Sequence, residues 1–406
     1  MSTDPSSAGS GHADLDRFLE PESRAVLRAL PIVIVGFLAA ATALGALLLR
    51  PTGEIRPDLS VIGVNATVYE AVAETVDIEP CEGVAPEQAL QCATIAFRLT
   101  QGPDKGQVFP LTFVVAETAP DFVPGDRVVL EYQAGAEPEF RYTYADRQRR
   151  PVLLWVALAF AAVVILLGRL RGLAALGGLI ATVFVLLQFV IPAILDARPP
   201  VLVAVVGASL IAYVALYSAH GFNRMTTVAL LGTLVALGLT AMLSWFVVEA
   251  ARFTGLITDE AFILTIAGID PAGLILAGIV LGAIGAIDDV TVTQASAVWE
   301  LHRVRPDLGR VALTRHGLKV GRDHVASTVN TLLLAYAGAA MPLMIFFVLA
   351  EQSLGTVLNS EIVAVEAVRT LVGSIGLVAS VPITTWLAAV FASEDFGPRS
   401  HSHAIG

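Results

Sequence analysis

Two adjacent carboxylates, Asp288 and Asp289, close a glycine-rich stretch that holds Gly278, Gly282 and Gly285. Carboxylates inside or beside apolar spans are costly and mark ion and proton paths. On a helix that continues past Val290, Asp289, Thr293 and Ser296 share one face. The arrangement supports either a proton- or cation-coupled site facing a bundle interior or two interfacial acids in cytoplasmic water. Neighbouring helical residues point about 100° apart, so one acid at most faces a given cavity. The same divergence argues against the shared-proton dyad that acid proteases use.

A second polar group opens with Gly321-Arg322-Asp323 and continues through Ser327, Thr328, Asn330 and Thr331. Asp323, Ser327 and Asn330 follow i, i+4, i+7 spacing and form one stripe. Either the stripe faces the acids across a shared polar cavity, or Asp323 caps its helix and the hydroxyls bond back to their own turns. Asp270-Pro271 reads as an N-cap and first-turn pair, with an outward carboxylate at a site mouth as the alternative. Glu366 and Arg369 suit an i, i+3 ion pair, an outer gate or a contact to lipid headgroups. Gly278 and Gly282 have the G-x-x-x-G spacing that lets another helix approach. Thr226, Thr233 and Thr240, seven apart, read as a packing seam. The sequence holds no nucleophile elbow, no H-E-x-x-H, no P-loop and no C-x-x-C. His220 and His302 stand alone near loops. Neither a cofactor nor a metal is expected.

Positioning such residues requires a membrane-embedded helical frame. Of 406 residues, 55% are hydrophobic and 15% charged, against about a quarter charged in soluble domains. Mean hydropathy is +0.73. The formal charge of −11 argues against nucleic acid as a partner. A bilayer span takes roughly 20 apolar residues, and about eight spans are expected: 30–49, 152–167, 173–194, 201–218, 226–248, 271–286, 328–349 and 371–391. Residues 259–269 are shorter and suit a re-entrant or interfacial helix. No second hydropathy repeat stands out. Short loops carry their basic residues on one side: Arg169, Arg171, Arg224 and the run 303–322, against Arg198 and Arg252 opposite. That bias places both termini in the cytoplasm. The expected organisation is a disordered cytoplasmic tail at 1–24, a signal-anchor helix at 25–50, an extracytoplasmic domain at 51–150, a seven-helix membrane domain at 151–392 and a cytoplasmic tail at 393–406.

The polar domain alternates in short runs, 61–76, 93–100, 107–115, 127–132 and 140–144. Gly102-Pro103-Asp104 and Pro124-Gly125-Asp126 supply turn chemistry between them. Five short strands suggest a small β-rich barrel or sandwich of OB-like type. Cys81 and Cys92 lie in this domain. Outside the cytoplasm they suit a disulfide; otherwise they are two small apolar residues.

Several blocks carry a family likeness: Gly282-Ala-Ile-Gly-Ala-Ile-Asp-Asp-Val-Thr-Val-Thr-Gln-Ala-Ser, Gly321-Arg-Asp, Asn330-Thr-Leu-Leu-Leu-Ala-Tyr and Val368-Arg-Thr-Leu-Val-Gly-Ser-Ile-Gly-Leu-Val. In order and spacing they resemble the YibE/F-like family of bacterial membrane proteins, over nearly the whole chain from the first span onward. The resemblance implies a multi-pass protein of the bacterial cytoplasmic membrane and no established activity. It also implies a single acid in the block around Asp289, with a small or apolar residue in the place of Asp288, which leaves the role of Asp288 open.

Three functions fit these residues. The first is a transporter or exporter of a small solute, ion or lipid, with a polar site at the cytoplasmic side of the sixth and seventh spans. The second is an envelope-assembly scaffold that binds a protein through the β domain. The third is an intramembrane lipid-modifying enzyme or protease, for which Asp289 with Asp323 is the pair to test.

Overall fold

The structure is a computed structural model that describes residues 21–53, 67–81, 90–115, 121–266 and 268–395. The chain divides into two compact units, one at 58–164 and one comprising the rest.

The first unit is built on five strands: β1 (Thr67–Pro80), β2 (Gln91–Leu99), β3 (Val108–Val114), β4 (Arg127–Tyr132) and β5 (Tyr142–Arg147). They form one antiparallel sheet in the order β3-β2-β1-β4-β5. The register shifts between Ala73 and Thr75 and between Val129 and Leu130; such bulges bend a strand and increase its twist. The sheet curls until rings from its two edge strands meet, Phe109 against Tyr142 at 4.6 Å and Phe113 against Tyr144 at 5.8 Å. Alternate residues point inward, so Ile95, Phe97, Val128 and Leu130 fill the interior with no exposure. At the expected turn, Gly102 has φ +93, and a Cβ there would lie 2.7 Å from the Tyr69 ring. Part of the first expected strand, 61–66, lies outside the described residues.

Cys81 and Cys92 are joined by a disulfide across 11 residues, tying the end of β1 to β2. Closing a loop of that order removes unfolded-state entropy and stabilises by about 2–4 kcal/mol. Replacing both cysteines by alanine should lower the denaturant midpoint of this unit accordingly, read by tyrosine fluorescence. An unchanged midpoint would mean that the crosslink adds nothing to stability.

The second unit is helical: α1 (Pro21–Leu48), α2 (Arg150–Val185, whose first residues belong to the other unit), a π-helical turn Leu186–Val190, α3 (Ile191–Leu195), α4 (Pro200–His220), α5 (Arg224–Ala251), α6 (Asp259–Ile266), α7 (Pro271–Val304), α8 (Arg310–Ala339), α9 (Met341–Leu349), α10 (Leu354–Asn359) and α11 (Glu361–Asp395). Among the described residues, six helical runs are long and apolar enough to cross a membrane, or seven if the bent pair α8–α9 crosses as one, against the eight expected. The difference arises because the expected spans 152–167 and 173–194 lie in one run, Arg150–Leu195, with no polar loop between them. Only Arg169, at φ 52 and ψ −130, leaves helical geometry there. The expected span 328–349 is bent by 61° between α8 and α9, where Pro342 withholds an amide from the turn before it. Helix α1 starts at Pro21, inside the expected tail, and α7 runs on to Val304, well past residue 286. Residues 1–20 and 396–406 lie outside the described residues.

Helices α5, α7 and α11 form the centre, with close approach at small residues. A Cβ on Gly232 would lie 2.2 Å from Thr384 Oγ1, and one on Gly376 would lie 2.0 Å from Thr240 Oγ1. Thr226, Thr233 and Thr240 are fully buried along α5. Backbones that cross this closely gain dispersion contacts that larger residues would block.

Two carboxylates tie loops to helix ends. Asp196, after α3, accepts hydrogen bonds from the amides of Thr52 and Gly53 and from the Thr52 hydroxyl. Glu361, at the start of α11, accepts from the amides of Thr254 and Gly255 and from the Thr254 hydroxyl. The Gly53 amide foremost, with Thr52 and the charge of Arg198, holds the Asp196 carboxyl below its ordinary value of 3.8 against the opposing effect of burial. A depressed folded pKa contributes stability that is complete above the ordinary value and is lost as pH falls through the folded one. Wild type should therefore lose melting temperature more steeply than Asp196→Asn below about pH 4. Parallel melting curves in that window would remove this contact from the acid response.

Candidate functional site

The two adjacent acids of α7 go to different places. Asp288 is turned toward α5 and Asp289 away from it. Thr233 Oγ1 lies 3.2 Å from Asp288 Oδ1 and 2.7 Å from Thr291 Oγ1. Thr291 Oγ1 also reaches the Asp288 carbonyl at 3.0 Å, and Thr233 Oγ1 the Ala229 carbonyl at 3.1 Å. A hydroxyl has one proton to donate. With Asp288 ionised, Thr233 donates to the carboxylate and Thr291 donates to Thr233. With Asp288 protonated, the acid donates to Thr233, whose own proton turns to Ala229.

The buried face of α7 continues with Gln294, whose Nε2 donates to the Gly317 carbonyl of α8 at 2.7 Å. Gly317 and Gly321 make room for it: a Cβ on Gly321 would lie 2.7 Å from Gln294 Oε1. The sequence reading did not single out Gln294. Its signal was the spacing of Ile287, Thr291, Gln294 and Val298, one helical face with a single amide among small and apolar residues.

Asp289 has a side chain that is 70% exposed, and His324 of α8 stands beside it, Nε2 to Oδ2 at 3.9 Å. Thr293 and Ser296 share its exposed face. The expected stripe of Asp323, Ser327 and Asn330 is exposed along α8. The reason is helical phase: adjacent residues diverge by about 100°, so a helix that turns His324 to Asp289 turns Asp323 elsewhere. A lone histidine beside an aspartate carries little pattern, so spacing alone does not single out His324.

Toward the other end of α7 lies a second polar group. Arg369 donates to Glu366 at 2.7 Å as an i, i+3 pair. A Cβ on Gly278 would meet Arg369 Nη2 at 3.4 Å, and one on Gly282 would meet Tyr336 Oη at 2.5 Å. The two glycines thus seat a guanidinium and a phenol from α11 and α8. Gly285, one turn nearer the acids, has open space where a Cβ would stand. Asp270 occupies the N-cap position of α7, but its side chain makes no capping hydrogen bond and is exposed. Among the described residues, no group of three or more His, Cys, Asp or Glu is placed to hold a metal ion.

Residues 156–394, more than half of the chain, match the family described as YibE/F-like protein. The chain belongs to the YibE/F-like family. The matched stretch takes in Asp288, Asp289, His324, Glu366 and Arg369, and begins after the five strands. No curated protein and no solved structure matches the chain. Family and apolar helices together make this a multi-pass membrane protein.

Proposed function

We propose that this YibE/F-like protein transports or exports a small solute, ion or lipid, with Asp288 as the group that couples movement to proton or cation binding. The observation that carries this reading is the position of Asp288: an acid inside an apolar three-helix centre, its carboxylate held by Thr233, whose hydroxyl in turn meets that of Thr291. Charged groups at membrane depth are expensive and occur where ions or protons pass. The bond between Thr233 and Asp288 can reverse its direction as Asp288 gains or loses a proton, because the Thr233 proton has the Ala229 carbonyl as a second acceptor. Asp289, with His324 beside it, supplies an exposed approach. The reading places the protein in the bacterial cytoplasmic membrane with both termini inside, in line with the basic loops. It places the curled sheet outside; the meeting of β3 and β5 supports an OB-like barrel, and the disulfide suits an oxidising compartment.

The test is the melting temperature of the full-length protein in detergent across pH and across sodium, potassium, magnesium and chloride. A ligand of the folded state at a hundredfold excess over its dissociation constant adds about 2.7 kcal/mol. Wild type should gain stability from one cation or from protons, and Asp288→Asn should lose that gain while Asp289→Asn keeps part of it. If all three proteins respond alike to every condition, the coupling role of Asp288 is wrong.

The scaffold reading has an observation of its own: Ile78, Val108, Val114, Val123 and Phe140 are exposed on the β unit. It expects deletion of 51–150 to abolish function and Asp288→Asn to leave it intact.

A further inference from the structure

The carboxylate contacts of Asp196 and Glu361 are one contact made twice. Each acid accepts from both amides and the hydroxyl of a Thr-Gly dipeptide. In each dipeptide the glycine has left-handed backbone, φ 72 at Gly53 and φ 73 at Gly255. That geometry turns successive amides toward one anion. Each dipeptide follows a long apolar helix in the same local sequence, Arg50-Pro-Thr-Gly-Glu-Ile after α1 and Arg252-Phe-Thr-Gly-Leu-Ile after α5.

The likeness extends back into the helices. At the constant offset of 202 residues that separates Thr52 from Thr254, Val33, Gly36 and Ala39 match Val235, Gly238 and Ala241. At the same offset, Thr42 and Ser244 each donate to the carbonyl four residues earlier, at 2.8 and 2.7 Å. It also extends forward. Arg171 and Arg310 each stand seven residues before a Gly-Leu pair, Gly178-Leu179 and Gly317-Leu318. A Cβ on Gly178 would meet Ser218 of α4 at 3.0 Å, and one on Gly317 would meet Thr385 of α11 at 2.8 Å. Each acid then leads into the matching helix, α4 after Asp196 and α11 at Glu361.

We infer that the membrane domain is a tandem repeat of two four-span units, each locked at its outer end by the same carboxylate clasp. The order in both is first helix, Thr-Gly, two crossings, acid, fourth helix. The clasps fix the parity of the crossings. Thr52 touches Asp196, so the chain between them crosses an even number of times, and Arg150–Leu195 must cross twice with its turn at Arg169. Thr254 touches Glu361, so α7 and the bent pair α8–α9 each cross once. Eight crossings result. Units of four spans have the same orientation, as in parallel repeats about an axis along the membrane normal. The β domain is then an insertion into the first unit, where the second has only α6. The clasps hold first and fourth helices together at the outer end of each unit. The polar group around Asp288 lies wholly in the second unit, so the two halves are alike in frame and different in chemistry.

The experiment uses the full-length protein in cells, where Cys81 and Cys92 are blocked by their own disulfide. Exposed positions beside each clasp, Arg50→Cys, Ala197→Cys, Arg252→Cys and Asn359→Cys, are treated singly with a membrane-impermeant maleimide. All four should label from outside, and Arg171→Cys and Arg305→Cys should label only after permeabilisation. The pairs Thr52→Cys with Asp196→Cys and Thr254→Cys with Glu361→Cys should both crosslink on mild oxidation. Opposite sidedness of Arg50 and Ala197, or of Arg252 and Asn359, overturns the repeat, as does crosslinking of one pair without the other. As a check independent of labelling, exchange of the acids, Asp196→Glu with Glu361→Asp, should keep most of the melting temperature that Asp196→Asn with Glu361→Gln loses. Equal loss in both double variants counts against a shared clasp.

Discussion

Gly376→Val is expected to unfold the centre of the membrane domain or to shift its melting temperature by many degrees. A Cβ at 376 would stand 2.0 Å from Thr240 Oγ1 and 3.2 Å from Thr240 Cβ. Thr240 cannot simply swing aside, because its hydroxyl donates to the Ala236 carbonyl at 2.8 Å and its own carbonyl accepts from Ser244 at 2.7 Å. On a helix threonine divides between only two χ1 rotamers. Overpacking of this kind costs about 1–3 kcal/mol for one methyl, and valine adds two more carbons. Against it stands the helix propensity gained on replacing glycine, about 1 kcal/mol, so the collision wins. Gly238, on α5, separates the two effects: it has open space where a Cβ would stand. Gly238→Ala should be neutral or slightly stabilising in the same detergent melt. Gly376→Ala should be destabilising, and Thr240→Ala should recover part of that loss in the double variant. Equal behaviour of Gly238→Ala and Gly376→Ala would show that α5 and α11 do not cross at this point.

Asp288→Ala should cost about 1–3 kcal/mol, the usual penalty for removing one partner of an enclosed hydrogen bond. It strips Thr233 of an acceptor at 3.2 Å and leaves a void between α5 and α7. Asp323→Ala should stay within about 0.5 kcal/mol, as exposed substitutions do. Asp289→Ala should be nearly as mild, since its side chain is 70% exposed and His324 is 3.9 Å away. Asp288→Asn retains a group that can bond Thr233 but cannot carry a proton, so it should preserve most of the stability while losing pH- or ion-dependent stabilisation. The three alanine variants, melted side by side, rank the acids. A ranking with Asp289 or Asp323 above Asp288 would put the interior face of α7 elsewhere.

Much of the frame follows from local pattern. Apolar runs near 30–49, 201–218 and 226–248 become α1, α4 and α5 because a bilayer-length run with satisfied internal hydrogen bonds is a helix. The period-two runs became strands, and Gly102 and Gly125 take positive φ where turns were read. Glu366 and Arg369 pair because i, i+3 residues are neighbours on any helix. The blocks around Asp288, Gly321, Asn330 and Val368 were enough to suggest the family.

What tertiary structure decided was phase and long-range contact. A helix's own sequence does not say which of two adjacent acids faces a neighbour, and the positions of α5 and α8 put Asp288 against Thr233 and His324 near Asp289. The Gly278 and Gly282 spacing is compatible with any close approach, and only the placement of α8 and α11 shows Arg369 and Tyr336 seated there. The bond from Asp196 to Thr52 spans 144 residues, and hydropathy alone gave no hint of a repeat. Hydropathy averages over a window, whereas the likeness between the halves rests on two amides and a hydroxyl converging on one carboxylate. A contact of that kind becomes visible only when residues far apart in the chain are brought within hydrogen-bonding distance.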